Sequence, residues 1–160
     1  MNHKGWRLVL AGPDWLGYKK TLDVLIREKD IQGVVFPGKV SGKEKEAWYR
    51  EADLFVLPSP MENFSAVVLD ALAFGIPVIA TKGTPWRELE EARCGWWIES
   101  GEDSLRAALG KAMSLTDEQR MMVFQGKVVD DMPSDVVDKS LTLQYITGKR
   151  QRVQREKRTW

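Results

Sequence analysis

Histidine and cysteine are almost absent from these 160 residues, each occurring once, as His3 and Cys94. A single cysteine excludes an internal disulfide and any cysteine-ligated metal cluster. A single histidine, close to the amino terminus, excludes triads built on histidine and zinc sites built from His and Cys. Neither sign of charge prevails: 24 Lys and Arg face 23 Asp and Glu. There is thus no global field to draw nucleic acid or an anionic membrane. The longest apolar runs, around Leu54–Leu57 and Ala66–Leu69, fall far short of the roughly 20 residues that a membrane helix needs. The opening residues Met-Asn-His-Lys-Gly-Trp carry no signal-peptide apolar region, so the expected compartment is the cytoplasm. No metal site is expected, and chemistry is left to carboxylates, backbone amides and basic side chains.

What remains is the composition of one soluble globular domain with room for a sizeable core. Apolar runs closed by Gly or Pro recur along it. Trp6–Gly12, Val34–Phe36, Leu54–Leu57, Val78–Thr81 and Trp96–Ile98 read as short strands. Between them, Tyr18–Lys29, Lys43–Ala52, Phe64–Phe74 and Trp86–Ala92 have helical spacing or propensity. The third of these helices ends at Gly75 ahead of Pro77, and the fourth has Pro85 at its first turn. Three further helices are expected near Ser104–Leu115, Glu118–Asp131 and Val136–Ile146. Unalternating apolar strands that take turns with helices mean a parallel sheet covered on both faces. The expected fold is therefore α/β: one doubly wound, Rossmann-like domain over residues 1–148, with a parallel sheet of about five strands. Most of the seven tryptophans belong to its core or cover its strand ends, and Cys94 beside Gly95 reads as a small buried residue.

Residues 149–160 differ in kind. Lys149–Arg158 (KRQRVQREKR) is a dense basic run. It would suit peripheral contact with an anionic membrane at the inner face, or nucleic acid; a solvated helix end or a disordered extension satisfies it as well.

Ligands of an open parallel sheet bind outside the carboxyl ends of its strands. One loop there stands out. Pro58-Ser59-Pro60-Met61-Glu62-Asn63-Phe64-Ser65 leaves a buried strand and starts a helix at once. Amides at Phe64, Ser65 and Ala66, with the helix dipole behind them, would offer a phosphate site without any Gly-rich loop. Glu62 and Asp70 bracket this start, eight residues apart. At helical rise that is about 12 Å, the reach of a sugar, a diphosphate and a ribose in sequence. The same spacing is equally met by a helix-start charge and a half-buried polar residue.

The stretch ADLFVLPSPMENFSAVVLDALAFGIPVIATKGTPWRELEEARCGWWI resembles the C-terminal domain of family 4 (group 1) retaining glycosyltransferases of GT-B architecture. Those carry a strand, Pro-Ser, a Glu followed by a second Glu, and then Ala-Leu-Ala-x-Gly-x-Pro-Val. WRLVLAGPDWLGY and VVFPGKVSGKEKEAWYREADLF match as well, so the resemblance covers residues 5–115. It implies half of a GT-B fold that binds a nucleotide-diphosphate sugar and needs no metal or other cofactor. Glu62, the candidate catalytic residue, would hydrogen-bond the hydroxyls of the donor sugar. The amides of Phe64 and Ser65 would hold the distal phosphate, with Ser59 and Asn63 in the same loop. Asp70 would take the ribose hydroxyls, Gly38, Lys39 and Val40 would receive the base, and Gly12 would let the diphosphate come close. Activity would be hexosyl transfer to an acceptor glycan or lipid, once an N-terminal acceptor-binding domain or subunit completes the site. The resemblance also implies an Arg and a Lys at the diphosphate, carried by a strand and loop that precede these residues in the family, of which Lys4-Gly5 is a faint echo. Two positions depart from the family pattern: Asp70 replaces a Glu, and Ser65 replaces a Gly.

Other motifs carry less. Gly33–Lys39 has the spacing of a P-loop, but Val40 stands where Ser or Thr must hold magnesium, and the spacer is an apolar strand. Asn63-Phe64-Ser65 is formally a glycosylation sequon at a helix start. Ser59 has no histidine to activate it as a nucleophile. Asp14 alone does not supply the acid cluster of a phosphorylated signalling domain. A non-catalytic nucleotide-sugar-binding or interaction module built on the same fold remains the competing functional reading.

Overall fold

Apolar stretches without polar alternation form strands buried on both faces, and Leu54–Leu57 and Val78–Thr81 follow that rule at every residue. The computed structural model describes residues 5–123 and 144–149. In chain order the elements are β1 (Trp6–Ala11), α1 (Tyr18–Glu28), β2 (Val34–Gly38), α2 (Gly42–Glu51), β3 (Leu54–Leu57) and α3 (Ala66–Ala73). They continue with β4 (Val78–Thr81), α4 (Glu88–Glu91), β5 (Gly95–Ile98), α5 (Glu102–Ser114), α6 (Asp117–Val123) and β6 (Gln144–Lys149).

The strands form one sheet in the order β2-β1-β6-β3-β4-β5. β1 and β2 run parallel, as do β3, β4 and β5. The five parallel strands are those the sequence predicts. β6 is not. It lies antiparallel between the two parallel sets, pairing Ala11 with Gln144 and Trp6 with Lys149 on one side, and Val56 with Tyr145 on the other. The helix expected over Val136–Ile146 is therefore wrong for residues 144–146; the rest of that span lies outside the described residues. The reason is tertiary. β1 and β3 each present an edge of unpaired amides and carbonyls, and a segment that satisfies both outweighs local helix propensity. Gln-Tyr-Ile-Thr, with its aromatic and β-branched residues, suits a strand. Lys149 closes β6, whereas the remainder of the basic run, His3, and most of the helix expected over Glu118–Asp131 lie outside the described residues.

Alternate residues of the central strands feed two cores. Phe55, Leu57, Val78 and Ala80 pack on one face with Tyr49 of α2, with Val67, Val68, Ala71 and Leu72 of α3, and with Trp86, Leu89 and Cys94. Leu54, Val56 and Ile79 pack on the other with Ala108 and Ala112 of α5, flanked by Trp6 and Trp96. Each fully buried Leu, Ile, Val or Phe contributes about 1.5–3 kcal/mol, so the β3–β4–α3 contact is the mechanical centre of the domain. Cys94 is fully buried, as its setting beside Gly95 suggests, and burial pushes its thiol up to about 11. Arg120 is buried as well. Its guanidinium donates to the carbonyls of Ala112 and Leu115, pairs with Asp117 and lies over the Trp6 ring, tying α6 to the end of α5.

Two helices are shorter than their sequence signals. α3 begins at Ala66 instead of Phe64, because Ser65 sits in the left-handed region at φ 59° and cannot continue a helical turn. α4 is a single turn, since the Trp86 indole is drawn into the core and bonded to the Phe64 carbonyl.

Candidate functional site

From β1 the chain turns to β2 on one side of the sheet, while β3, β4 and β5 lie beyond β6 on the other. That reversal is the switch point at which doubly wound sheets open a crevice at their carboxyl ends. With one strand interposed, the ends of β1 and β3 stand about 10 Å apart.

One rim is made by the ends of β1 and β2. Gly12 N–H donates to the Gly38 carbonyl at 2.8 Å. Both residues have positive φ, 153° and 79°, which keeps side chains off this rim and lets a ligand meet backbone. Lys39 is exposed and Val40 partly buried in the turn that follows, and Ser41 then leads into α2.

The other rim is the segment from Pro58 to Ser65, held in place by the β4–α4 loop. Thr81 Oγ1 donates to the Ser59 carbonyl, and Glu62 N–H donates to the Gly83 carbonyl at 3.0 Å. The Trp86 indole N–H donates to the Phe64 carbonyl at 2.7 Å, with the two rings 5.3 Å apart. Gly83 lies so close that a Cβ there would meet the Pro60 carbonyl oxygen at 2.0 Å. The Thr84 hydroxyl bonds back to the Thr81 carbonyl, and the Trp97 indole N–H reaches the Thr84 carbonyl, so the supporting loop is itself pinned. Ser59 donates its hydroxyl to the Met61 carbonyl and acts as a turn residue. None of Thr81, Gly83, Thr84, Trp86 and Trp97 is conspicuous as a site residue in sequence. Thr-Lys-Gly-Thr-Pro after a strand reads only as a turn.

This loop ends at the amino end of α3. The first-turn amides of Ala66 and Val67 have no acceptor within the helix, whereas Val68 N–H is taken by the Ser65 carbonyl at 2.9 Å. A Ser before a helix normally caps it, but Ser65 makes no capping bond. Its Oγ is buried without a hydrogen-bond partner, in a residue only 4% exposed. A left-handed non-glycine backbone and an orphaned buried hydroxyl are each unfavourable, and both fall at the amino end of α3, beside its free first-turn amides.

Glu62 and Asn63 lie in the loop before the helix, Glu62 partly buried and Asn63 exposed. Helical rise does not apply between Glu62 and Ala66, so the 12 Å expected from an unbroken helix is replaced by four loop residues and one helical turn. Asp70 sits on that turn, half-buried. Its Oδ2 is 2.6 Å from the ammonium of Lys45, on α2. Lys45 also lies 5.9 Å from the centre of the Tyr49 ring, and the Tyr49 hydroxyl donates to the Val67 carbonyl at 3.3 Å. Burial, with a smaller contribution from the Asp70 charge, pushes the Tyr49 hydroxyl far above its ordinary value, so it stays protonated and donating. Lys45 is inconspicuous in sequence because it is one of four charged residues in a row from Lys43 to Glu46.

The arrangement offers free amides and an orphaned hydroxyl for an anion, two carboxylates for hydroxyls, and bare backbone for a flat group. Among the described residues no group of three or more His, Cys, Asp and Glu could hold a metal ion, and no helix is long and apolar enough to cross a membrane.

Residues 1–128 match the model of the family described as glycosyl transferases group 1. The glycosyltransferase WcaL of Escherichia coli K12 is 31% identical over 148 residues, which covers 85% of this chain and 36% of WcaL. The chain therefore spans about a third of the length of that relative. The C-terminal domain of the group 1 glycosyl transferase LpcC of Francisella tularensis superposes with a TM-score of 0.57 at 27% identity, over 69% of this chain and 58% of that one. The Anabaena protein HepE, in complex with UDP, superposes with a TM-score of 0.60 at 24% identity, over 72% of this chain and 33% of HepE.

Proposed function

Because the chain belongs to the glycosyl transferases group 1, we propose that it is the donor-binding domain of an enzyme that moves a sugar from a nucleotide-diphosphate sugar to an acceptor glycan or lipid. The observation that carries this reading is the amino end of α3, where free amides and the partnerless Ser65 hydroxyl meet at the switch point of the sheet. A diphosphate fits such a site, and the helix dipole and amides would stabilise the charge that grows on it as it leaves. Glu62, fixed through its own amide to Gly83, accepts hydrogen bonds from the donor sugar. Asp70 accepts from the ribose, and the Gly38–Val40 turn receives the base beside Gly12. The reading routes no step through a metal ion. The acceptor is held by an N-terminal domain or subunit across the crevice, and the basic run from Lys149 to Arg158 brings the assembly to an anionic membrane surface.

Binding of UDP, GDP, ADP and their sugar conjugates, followed by ligand-observed NMR and calorimetry, tests the reading. One nucleotide family should bind. Asp70→Ala should weaken the free nucleotide and its sugar conjugate alike. Glu62→Ala should leave the nucleotide unaffected and remove the preference for the conjugate. Equal losses for both ligands in both variants would refute the division of roles.

A further inference from the structure

The Lys45–Asp70 pair crosses from α2 to α3 at the point where both helices leave the crevice. Its geometry is tight, at 2.6 Å, although the two side chains keep 32% and 37% of their surface. Only Oδ2 of Asp70 is engaged by the ammonium, and a carboxylate has capacity for several donors on its two oxygens. The lysine ammonium lies over the Tyr49 ring, and Tyr49 is anchored to the first turn of α3 through the Val67 carbonyl. Lys45 is the fourth residue after Ser41, and therefore rides on the helix that the Gly38–Ser41 turn introduces. One short rigid element thus joins the turn that faces the base to the acid that faces the ribose.

We propose that Lys45 is the positioning residue of the ribose subsite: its ammonium holds one oxygen of Asp70 and leaves the other directed at the ribose hydroxyls. The inference rests on the reading of the crevice as a nucleotide site. Aspartate is one methylene shorter than the glutamate that the family pattern has here, and its carboxylate sits closer to its own helix. A cation from the neighbouring helix fixes its rotamer without covering the second oxygen. The ion pair also preorders the acid, so less freedom is lost on binding.

The test is calorimetric titration of the whole chain with UDP, GDP and ADP for wild type, Lys45→Met, Lys45→Arg, Asp70→Ala and the Lys45→Met/Asp70→Ala double variant, with Tm measured for each. For the nucleotide that binds, Lys45→Met should weaken affinity about three- to five-fold, the worth of one well-placed partly exposed ion pair. Lys45→Arg should restore affinity to within about two-fold, since arginine retains the charge and the donor. The double variant should bind no more weakly than Asp70→Ala alone, because the lysine acts through the aspartate. Unchanged or tighter binding by Lys45→Met overturns the inference, as does an arginine variant as weak as the methionine one. A double variant with the summed losses of both singles overturns it too, by showing that Lys45 contacts the ligand independently. A fall in Tm beyond about 4 °C for Lys45→Met assigns the pair to the fold and overturns it as well. Wild type that binds none of the three nucleotides overturns the reading of the site itself.

Discussion

Ser65 is held in a conformation that costs stability, and removing its side chain should make the protein more stable and a poorer binder at once. The left-handed backbone at φ 59° costs a non-glycine residue about 1–2 kcal/mol. The buried hydroxyl has no partner, which adds about 1–3 kcal/mol. Against these stands the greater freedom of glycine in the unfolded chain, about 0.5–1 kcal/mol. Ser65→Gly should therefore raise stability by about 1–4 kcal/mol, which for a chain of this size is about 3–12 °C in Tm. Ser65→Ala removes the hydroxyl but keeps the strained backbone, and should gain about 1 kcal/mol. The affinity for a nucleoside diphosphate should move the other way, falling about five-fold in both variants as one hydroxyl–phosphate bond is lost. Urea unfolding and calorimetric titration on the three proteins decide it. A Ser65→Gly variant less stable than wild type would refute the strain argument. A Ser65→Ala variant that binds as tightly as wild type would refute the role of the hydroxyl.

Gly83→Ala should lower stability by at least about 2 kcal/mol, because the new methyl group meets the Pro60 carbonyl oxygen at 2.0 Å and the backbone must move; nucleotide affinity should fall with it, and an unchanged urea midpoint would show that the contact relaxes freely. Trp86→Phe should cost about 1–3 kcal/mol by leaving the Phe64 carbonyl without its indole donor, and should loosen the 58–65 loop, visible as faster amide exchange at Glu62. The Cys94 thiol, raised from 9.0 to about 11 by burial, gives a pH dependence of definite sign. The unfolded thiol loses its proton first, so the folded state holds more protons between those values, and stability falls as pH rises through them by up to about 1.4 kcal/mol per unit. Cys94→Ala should flatten that part of the profile in urea midpoints measured from pH 8 to 11, and wild type should resist thiol reagents at pH 8 until it unfolds.

The five parallel strands could be read from the chain because burial on both faces writes itself as uninterrupted apolar runs, Leu54–Leu57 and Val78–Thr81 above all. The 58–65 loop was legible for a similar reason: Pro-Ser-Pro stops a strand and a helix must follow. What escaped reading depends on contacts distant in sequence. Nothing local says that Ser65 is left-handed, since that is imposed by Trp86 and Gly83 gripping the residues before it. The Lys45–Asp70 pair joins two helices whose relative placement only the packing around Tyr49 decides. The segment around Tyr145 looked helical because its strand partners, β1 and β3, lie far up the chain.

That last pairing shapes how the protein is made. β2-β1 and β3-β4-β5 are each built from neighbours in sequence, so both can form while the chain is still emerging. The strand that joins them is the last in chain order among the described residues. Until it arrives, two edges of the sheet stand open side by side, each a template for another copy of the chain. Closure then requires β1 to meet β6, a long loop to close, and this step should set the refolding rate. Synthesis halted before Gln144 would leave two correctly formed half-sheets with open edges, a species more prone to stick than to bind.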